Sequence, residues 1–263
     1  MWRVAFLVSG QLRCASFGRG PDALTHSVVD HLRRNVFNDG LRAHFEYDVF
    51  MSVDDADEAN ARAFFGDHLA TLETLGESLD VQVPGFEPSI SASNYRIQRA
   101  WRAMVAHAAA TEKTYDLVVR LRPDVEYYHD LVPCLMALQK HPDKQMVFVW
   151  DIAWAGRYGI MEACCNQYDA FFRTLPTTAD RDPVFGAYYS RAQWKDMRSL
   201  TNIPEFQLAE SAMRYVREHG MCLERALVNS RINFMAVQWP RSNYADNNIP
   251  ADSYARALAN DFP

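Results

Sequence analysis

The chain has 263 residues, of which 49% are hydrophobic and 23% charged, and its formal net charge at pH 7 is -6. This length and composition are typical of one globular α/β domain that can bury a core without cross-links. The acidic balance disfavours wholesale nucleic-acid binding, which needs a basic face, although a local basic cleft remains possible.

The compartment is predicted from three sequence features. The five cysteines contain no CxxC and no spacing typical of a disulfide framework. The apolar run at residues 4–8 is too short for a signal peptide, and no run reaches membrane-spanning length. We therefore expect a cytoplasmic protein with no transmembrane segment, and its oligomeric state stays open.

The first predicted strand covers residues 2–8 and is followed by the turn Ser9-Gly10-Gln11-Leu12-Arg13. A glycine turn after a first strand presents backbone amides at the carboxyl edge of the sheet, where ligands of open α/β sheets bind. Taken alone, this turn is also compatible with an ordinary strand-to-helix connection, because one glycine does not make a phosphate loop.

The next elements are predicted from periodicity and turn residues. Residues 24–38 have helical spacing, and Tyr47 to Val53 form a second strand that ends at an acidic run starting with Asp54 and Asp55. This run is compatible with a solvated helix N-terminus. The predicted elements that follow are a helix over 59–75, a possible third strand over 79–83, and a helix over 95–113 that contains Arg96 and Arg99.

The most informative stretch follows, at residues 115–128. Leu117 to Leu121 form an apolar run typical of a buried strand, and Pro123 should stop its hydrogen-bond ladder. Four charged residues lie at or just after the end of this strand: Arg120, Arg122, Asp124 and Glu126. Carboxylates two residues apart can share one hard cation, and arginines can face an anionic ligand or hold the carboxylates. The alternative is four solvated charges in a turn.

The second half of the chain is predicted with fewer motifs. A strand over 145–150 ends at Asp151, and the loop over 152–159 combines glycines with Trp154, a composition that suits contact with a sugar. Alternatively, Trp150 and Trp154 are core or interface residues. The other predicted elements are helices over 131–139, 160–174 and from Pro204 to Glu218, with Gly220 as a helix stop, and a last strand over 231–239.

The segment from Tyr115 to Asp124 resembles the "YD-x-x-x-R-x-R-x-D" segment of nucleotide-sugar glycosyltransferases with the GT-A fold. Such enzymes occur in polysaccharide and lipopolysaccharide synthesis and in some large viruses. The resemblance implies a GT-A-like three-layer sandwich with a mostly parallel central sheet flanked by helices. It further implies a single domain over 1–263, with a nucleotide-binding half at 1–130 and an acceptor-binding half at 131–263.

The resemblance also implies site residues. Asp124 and Glu126 correspond to the Asp-x-Asp metal motif of the family, here as Asp-x-Glu, and would hold Mn²⁺ or Mg²⁺. The turn after the first strand is similar to the family's "SGQ-x-R" turn beside the nucleotide, where Arg13 would face the phosphates. The remaining residues assigned to the donor are Ser9, Gly10, Gln11, Asp54, Arg96, Arg99, Arg120 and Arg122.

The function expected from this resemblance is transfer of a sugar from a nucleoside-diphosphate sugar to a glycan hydroxyl. An inverting enzyme needs a carboxylate that takes the acceptor proton, and the candidates are Asp151 and Glu210, with Glu205 as a competitor. Two alternatives remain open: a sugar nucleotidyltransferase, although the expected glycine-rich loop with a lysine is missing, and a non-catalytic glycan- or nucleotide-binding protein on the same scaffold.

Overall fold

The structure is a computed structural model that describes residues 1–10, 31–76, 88–123, 125–127, 129–149, 153–166, 168, 204–229 and 237–238. Its strands are β1 (Trp2–Ser9), β2 (Phe45–Asp54), β3 (Leu69–Leu75), β4 (Leu117–Leu121), β5 (Glu126–Tyr127), β6 (Met146–Val149), β7 (Ala153–Arg157), β8 (Leu227–Asn229) and β9 (Val237–Gln238). Its α-helices are α1 (Asp39–His44), α2 (Glu58–Phe65), α3 (Pro88–Thr111), α4 (Val132–Lys140), α5 (Tyr158–Cys165), α6 (Pro204–Glu218) and α7 (Leu223–Ala226), and a π-helical turn covers Leu32–Val36.

Seven of the described strands form one sheet in the order β3-β2-β1-β4-β7-β6-β8. β1 pairs in parallel with β2 and β4, and β7 is antiparallel to both β4 and β6. The described β5 and β9 pair separately, in antiparallel orientation. The central strands are covered on both faces, which explains their continuous apolar sequences: Val4 to Val8 and Leu117 to Leu121 are all at most 2% exposed.

Helices cover both faces of this sheet. On one face, Phe6 and Val8 of β1 pack in a core with Leu41 of α1 and Leu135 of α4. On the other face, Leu7 lies in a second core that contains residues of α3, α5 and α6, namely Trp101, Met104, Ile160 and Val216. The predicted fold class, an α/β three-layer sandwich with a mostly parallel central sheet, is therefore confirmed.

The predictions for β1, β2, β4, β6, α4 and α6 are confirmed to within a few residues. The helix expected over 24–38 lies partly outside the described residues, and its described end is the π-helical turn Leu32–Val36. The helix expected from Tyr95 begins earlier, at Pro88, a residue type that suits a first helical turn because its missing N–H needs no partner there.

The helix expected over 59–75 is wrong in its second half. α2 ends at Phe65, where Gly66 takes a φ of +52°, and residues 69–75 form the edge strand β3. Leu69, Leu72 and Leu75 have helical spacing, but they pair in parallel with β2, so tertiary pairing overrides the local pattern. The possible strand over 79–83 lies outside the described residues.

The loop expected over 152–159 is also wrong, because Ala153–Arg157 form β7 and Tyr158 begins α5. The helix expected over 160–174 therefore starts two residues earlier, and α5 ends at Cys165. Gly156 reflects close packing: a Cβ there would lie 3.0 Å from both the Gln145 carbonyl oxygen and the Met161 Cγ. No helix in the described ranges combines the length and apolar character that crossing a bilayer requires.

Candidate functional site

The carboxyl ends of β1, β2 and β4 meet at one edge of the sheet, as parallel strands require. Side chains alternate between the faces, so Ser9 and Ser52 share the α3 face with Leu7 and Phe50. Ser9 pairs in register with Ser52, and Ser52 with Glu73 of β3. We call the polar group gathered here the carboxyl-edge cluster: Ser9, Ser52, Asp54, Glu73, Arg96 and Arg99.

α3 supplies the cations of the carboxyl-edge cluster. Arg96 donates to Asp54 across this edge, and the side chains of the two residues are 11% and 1% exposed. Arg99 donates through Nε to both carboxylate oxygens of Glu73, each at 2.9 Å. These hydrogen bonds raise the pKa of Arg99. Asp54 directly precedes the 3₁₀ turn Asp55–Asp57 that leads into α2, so the acidic run does lie at a helix N-terminus, but Asp54 is a buried, ion-paired carboxylate and not a solvated one.

Several polar atoms of the carboxyl-edge cluster are buried but unsatisfied within the described part of the chain. The hydroxyls of Ser9 and Ser52 have no hydrogen-bond partner there, and neither has Nε of Arg96. Ser9 and Ser52 are 3% and 0% exposed. A buried polar group without a partner costs about 1–3 kcal/mol, so its presence needs an explanation. The cluster thus offers two hydroxyls and one guanidinium N–H to a ligand at this edge.

The glycine turn and the arginine-rich segment lie side by side. Gly10 has a φ of +137°, and a Cβ there would lie 3.2 Å from Cδ of Pro123. A side chain at position 10 would therefore be strained and would press against the residue that ends β4. The structure thus places Gly10 of one motif of the resemblance beside Pro123 of the other. Gln11 and Arg13 lie outside the described residues.

The two arginines of β4 and its end differ in surroundings. Arg120 is 1% exposed, and its guanidinium lies 4.9 Å from the ring centre of Trp154 on β7. Trp154 is itself 2% exposed, so the interpretation of this tryptophan as a core residue is confirmed. Arg122 is half-buried, and its carbonyl oxygen accepts a 2.8 Å hydrogen bond from the Tyr127 hydroxyl.

Glu126 belongs to β5, which pairs with Gln238 and Val237 of β9. The side chain of Glu126 is not described. Asp124 lies outside the described residues. The residues on either side of Glu126 are held by burial and by one polar contact. Val125 and Tyr127 are at most 1% exposed, and the Tyr127 carbonyl oxygen lies 2.8 Å from Nδ1 of His31. In the described ranges, no group of three or more His, Cys, Asp or Glu residues could hold a metal ion.

The predicted general bases are placed only in part. Asp151 and Trp150 lie outside the described residues. Glu210 lies in α6, whose side chains Ala212 and Val216 belong to the core on the α3 face. Helix α6 therefore covers the same face of the sheet as the carboxyl-edge cluster, and the contacts of Glu210 itself are not described.

Sequence reasoning missed two members of the carboxyl-edge cluster, Ser52 and Glu73. A signal for Ser52 was available, because it lies two residues before Asp54 on a predicted strand and so shares its face. Glu73 had no such signal, since its segment was assigned to a helix.

No protein-family model matches this chain, and no curated protein matches it. The solved structures similar to it include S. aureus TarS, at 10% identity and a TM-score of 0.30, with 56% of this chain and 21% of that chain covered. Mouse xyloside xylosyltransferase 1 is 8% identical, with a TM-score of 0.38 and coverage of 86% and 83%. A protein described as a glucose-1-phosphate thymidylyltransferase from Bacillus anthracis is 8% identical, with a TM-score of 0.37 and coverage of 100% and 98%.

The chain therefore spans about a fifth of TarS. A xylosyltransferase and a protein described as a thymidylyltransferase are thus among the similar structures. Because the TM-scores lie between 0.30 and 0.38, the function of this chain has to be argued from its own residues.

Proposed function

We propose that this chain is a Leloir-type glycosyltransferase of the GT-A kind, which moves a sugar from a nucleoside-diphosphate sugar to a glycan hydroxyl. The observation that carries the proposal is the carboxyl-edge cluster, with its buried, unsatisfied hydroxyls of Ser9 and Ser52 within the described residues. It lies where open α/β sheets bind their ligands. The resemblance of the flanking Ser9–Arg13 and Tyr115–Asp124 segments to nucleotide-sugar transferases names the ligand class.

The charges of the carboxyl-edge cluster indicate which part of the donor it would contact. Arg96 is paired with Asp54 and Arg99 with Glu73, so the cluster is formally neutral. A neutral set of hydroxyls, carboxylates and N–H groups suits the hydroxyls of a ribose or the edge of a base better than a diphosphate. We assign the nucleoside to this cluster.

The diphosphate then needs cations from elsewhere. We assign it to Arg13 and Arg122, together with a divalent cation held by Asp124 and Glu126. Carboxylate oxygens are the donors that Mn²⁺ and Mg²⁺ prefer, so this pair fits such an ion chemically. When bound, the ion would offset the negative charge that develops on the leaving diphosphate.

Binding of the donor is tested first, by a thermal-shift screen of UDP-, GDP-, CMP- and dTDP-sugars with and without Mn²⁺. A ligand that binds the native state at 100 times its Kd stabilises it by about 2.7 kcal/mol. We expect one nucleotide class to raise the Tm, and hydrolysis or transfer of its sugar to follow with Mn²⁺ present. Binding without any turnover would favour the non-catalytic alternative, and pyrophosphate-dependent release of a sugar phosphate would favour the nucleotidyltransferase.

The assignment of the nucleoside is tested by Ser52→Ala. Removing an unsatisfied buried hydroxyl should leave the free energy of unfolding unchanged or raise it by about 1 kcal/mol, while donor binding weakens. The matched control is Thr71→Val on β3, because the Thr71 hydroxyl is also buried and has no partner among described residues, yet it lies opposite Phe50, away from the edge. Donor affinity that is equal in Ser52→Ala and wild type would remove the cluster from the site.

The general base is proposed to be Asp151, with Glu210 as the competitor. A general base acts on the acceptor proton, so Asp151→Asn should lower kcat by about 10²–10⁴-fold with donor affinity nearly unchanged. If Glu210→Gln produces this loss instead, the role moves to Glu210. If neither variant loses turnover, either the enzyme retains configuration or the acceptor lies elsewhere with another base such as Glu205, and NMR of the product anomer would tell which.

A further inference from the structure

A second concave site lies on the sheet face opposite the carboxyl-edge cluster. It is a cavity of about 460 Å³ between the π-helical turn, α1, β2 and α2. We call it the arginine–aromatic cavity, and it is lined by Arg33, Arg34, Phe37, Asn38, Asp39, Arg42, Tyr47, Phe64, Phe65 and His68. Its volume lies in the range of small-molecule sites, about 300–1,000 Å³.

The base of the cavity is a rigid group of rings. Phe37, Tyr47 and Phe65 are each at most 8% exposed. Phe37 lies 5.1 Å from Phe65 and 5.9 Å from Tyr47, measured between ring centres. His68 stacks on Tyr47 at 4.2 Å with an interplanar angle of 18°. This apolar floor is fixed by its own packing and would not need to reorganise when a ring packs on it.

The rim of the cavity is cationic. Arg33, Arg34 and Arg42 are exposed, and the Arg33 guanidinium lies 5.3 Å from the ring centre of Phe64, which orients it. Among the described lining residues, the one acid is Asp39, which is fully exposed and accepts a 3.0 Å hydrogen bond from Arg42. The described lining therefore holds more cationic than anionic side chains, in a chain whose net charge is -6.

We propose that the arginine–aromatic cavity binds a sugar phosphate, with the phosphate on the arginine rim and the apolar face of the sugar ring on the aromatic floor. A phosphate monoester carries nearly two negative charges at neutral pH, and its oxygens fit the planar donor fork of arginine, such as Arg33 on the rim. Sugar rings pack their C–H faces on aromatic side chains, which accounts for the floor.

This site is separate from the proposed donor site. Tyr47 and Ser52 lie five residues apart on β2, which is about 17 Å along the strand, and their side chains belong to opposite faces. The inference therefore stands whether or not the chain transfers sugars, and it adds a second sugar-binding position to the molecule.

The test uses the full chain and three probes: glucose 6-phosphate, glucose and inorganic phosphate. Isothermal titration calorimetry should show saturable binding of glucose 6-phosphate, weaker binding of inorganic phosphate and none of glucose. Amide shifts in a ¹H–¹⁵N spectrum should localise to residues 33–47 and 64–68. Absence of saturable glucose 6-phosphate binding, or shifts confined to the carboxyl edge, would overturn the proposal.

Variants make the assignment specific. Arg33→Ala and Arg42→Ala should each weaken glucose 6-phosphate binding by about 10- to 100-fold, the loss expected for a hydrogen bond to a charged group. Arg62→Ala is the matched control, since Arg62 lies on α2 outside the cavity lining and pairs with Glu58 at 2.9 Å. An equal loss in Arg62→Ala would mean general charge attraction, and full binding in both cavity variants would place the ligand elsewhere; either result rejects the site.

Discussion

Two carboxylates on the same face of β2 have different surroundings. Near its amino end, Asp48 accepts a 2.7 Å hydrogen bond from the Tyr115 hydroxyl and hydrogen bonds of 2.9 and 3.1 Å from Nζ of Lys113. Near its carboxyl end, Asp54 is paired with Arg96. Both cations come from α3 or the residues just after it, so the helix is tied to the sheet at both ends.

The two ion pairs differ in the neighbouring buried polar atoms that have no hydrogen-bond partner in the described ranges. The Asp48 carboxylate accepts from two residues, Lys113 and Tyr115, and one nearby atom, Nε2 of His107, is buried without a partner in the described ranges. Around Asp54, the hydroxyls of Ser9 and Ser52 and Nε of Arg96 are buried without partners in the described ranges. The two ion pairs on this strand thus differ in number: three such atoms lie around the carboxyl-edge pair and one lies near Asp48, so the carboxyl edge has more capacity to bind a ligand.

The largest expected effect on stability comes from Arg96→Ala. This change removes the Arg96 guanidinium from the 1% exposed carboxylate of Asp54, and removing one partner of a buried pair costs about 3–5 kcal/mol. The double variant Asp54→Asn with Arg96→Gln should recover most of this loss, because no buried charge is left over. Urea denaturation monitored by circular dichroism measures both free energies of unfolding.

A loss below 1 kcal/mol in Arg96→Ala would mean that Asp54 is hydrated at this edge, and the contrast between the two ends of β2 would then lose its basis. Failure of the double variant to recover would show that the two side chains act through packing and not through charge.

A smaller effect is expected from Tyr115→Phe at the amino end. Burial and then the neighbouring Asp48 raise the pKa of Tyr115, so its hydroxyl is a donor at every physiological pH. Removing this hydrogen bond to a carboxylate should cost about 1.5–3 kcal/mol. Donor binding should be unchanged, measured by calorimetry with the nucleotide class found in the screen. Weakened binding in Tyr115→Phe would contradict a purely structural role for this end.

The smallest effect is a pH dependence at Asp48. Burial raises its pKa, but hydrogen bonds from Tyr115 and Lys113 outweigh burial, and the pKa in the folded protein lies below its usual value. Because the folded-state value lies below the unfolded value of about 3.9, Asp48 stabilises the fold above that pH. This stabilisation is lost as pH falls through the folded-state pKa.

The stability difference between wild type and Asp48→Asn should therefore shrink on acidification from pH 5, as measured by urea denaturation at stepwise pH. A difference that stays constant down to the acid transition would show that the carboxylate charge contributes nothing here.

The central strands were predicted well from the sequence, because strands buried on both faces have continuous apolar sequences, as in Leu117 to Leu121. The prediction failed at Leu69–Leu75, where β3 pairs with one neighbour among the described strands and its residues are all half-buried. At β7, Gly156 indicated a loop, but the glycine is required by the contacts to Gln145 and Met161. Such contacts join segments that local pattern cannot pair.

The candidate site was predicted in part. Ser9, Gly10, Asp54, Arg96 and Arg99 were named from the sequence, and the structure places them at the edge where β1, β2 and α3 meet. The ion-pair partners of these residues could not be predicted, because Asp54 and Arg96 are 42 residues apart and no local sequence pattern relates them. The burial of Arg120 was missed for the same reason: the stacking ring of Trp154 comes from a later strand.

The position of β1 in the sheet has a consequence for synthesis. β1 lies between β2 and β4, and Val4 pairs with Leu117, so its second neighbour is made more than 100 residues after it. At about 5–20 residues per second, a nascent chain exposes one edge of this apolar strand for roughly 5–20 s. Such a strand, apolar on both faces, is prone to pair with another chain until β4 emerges.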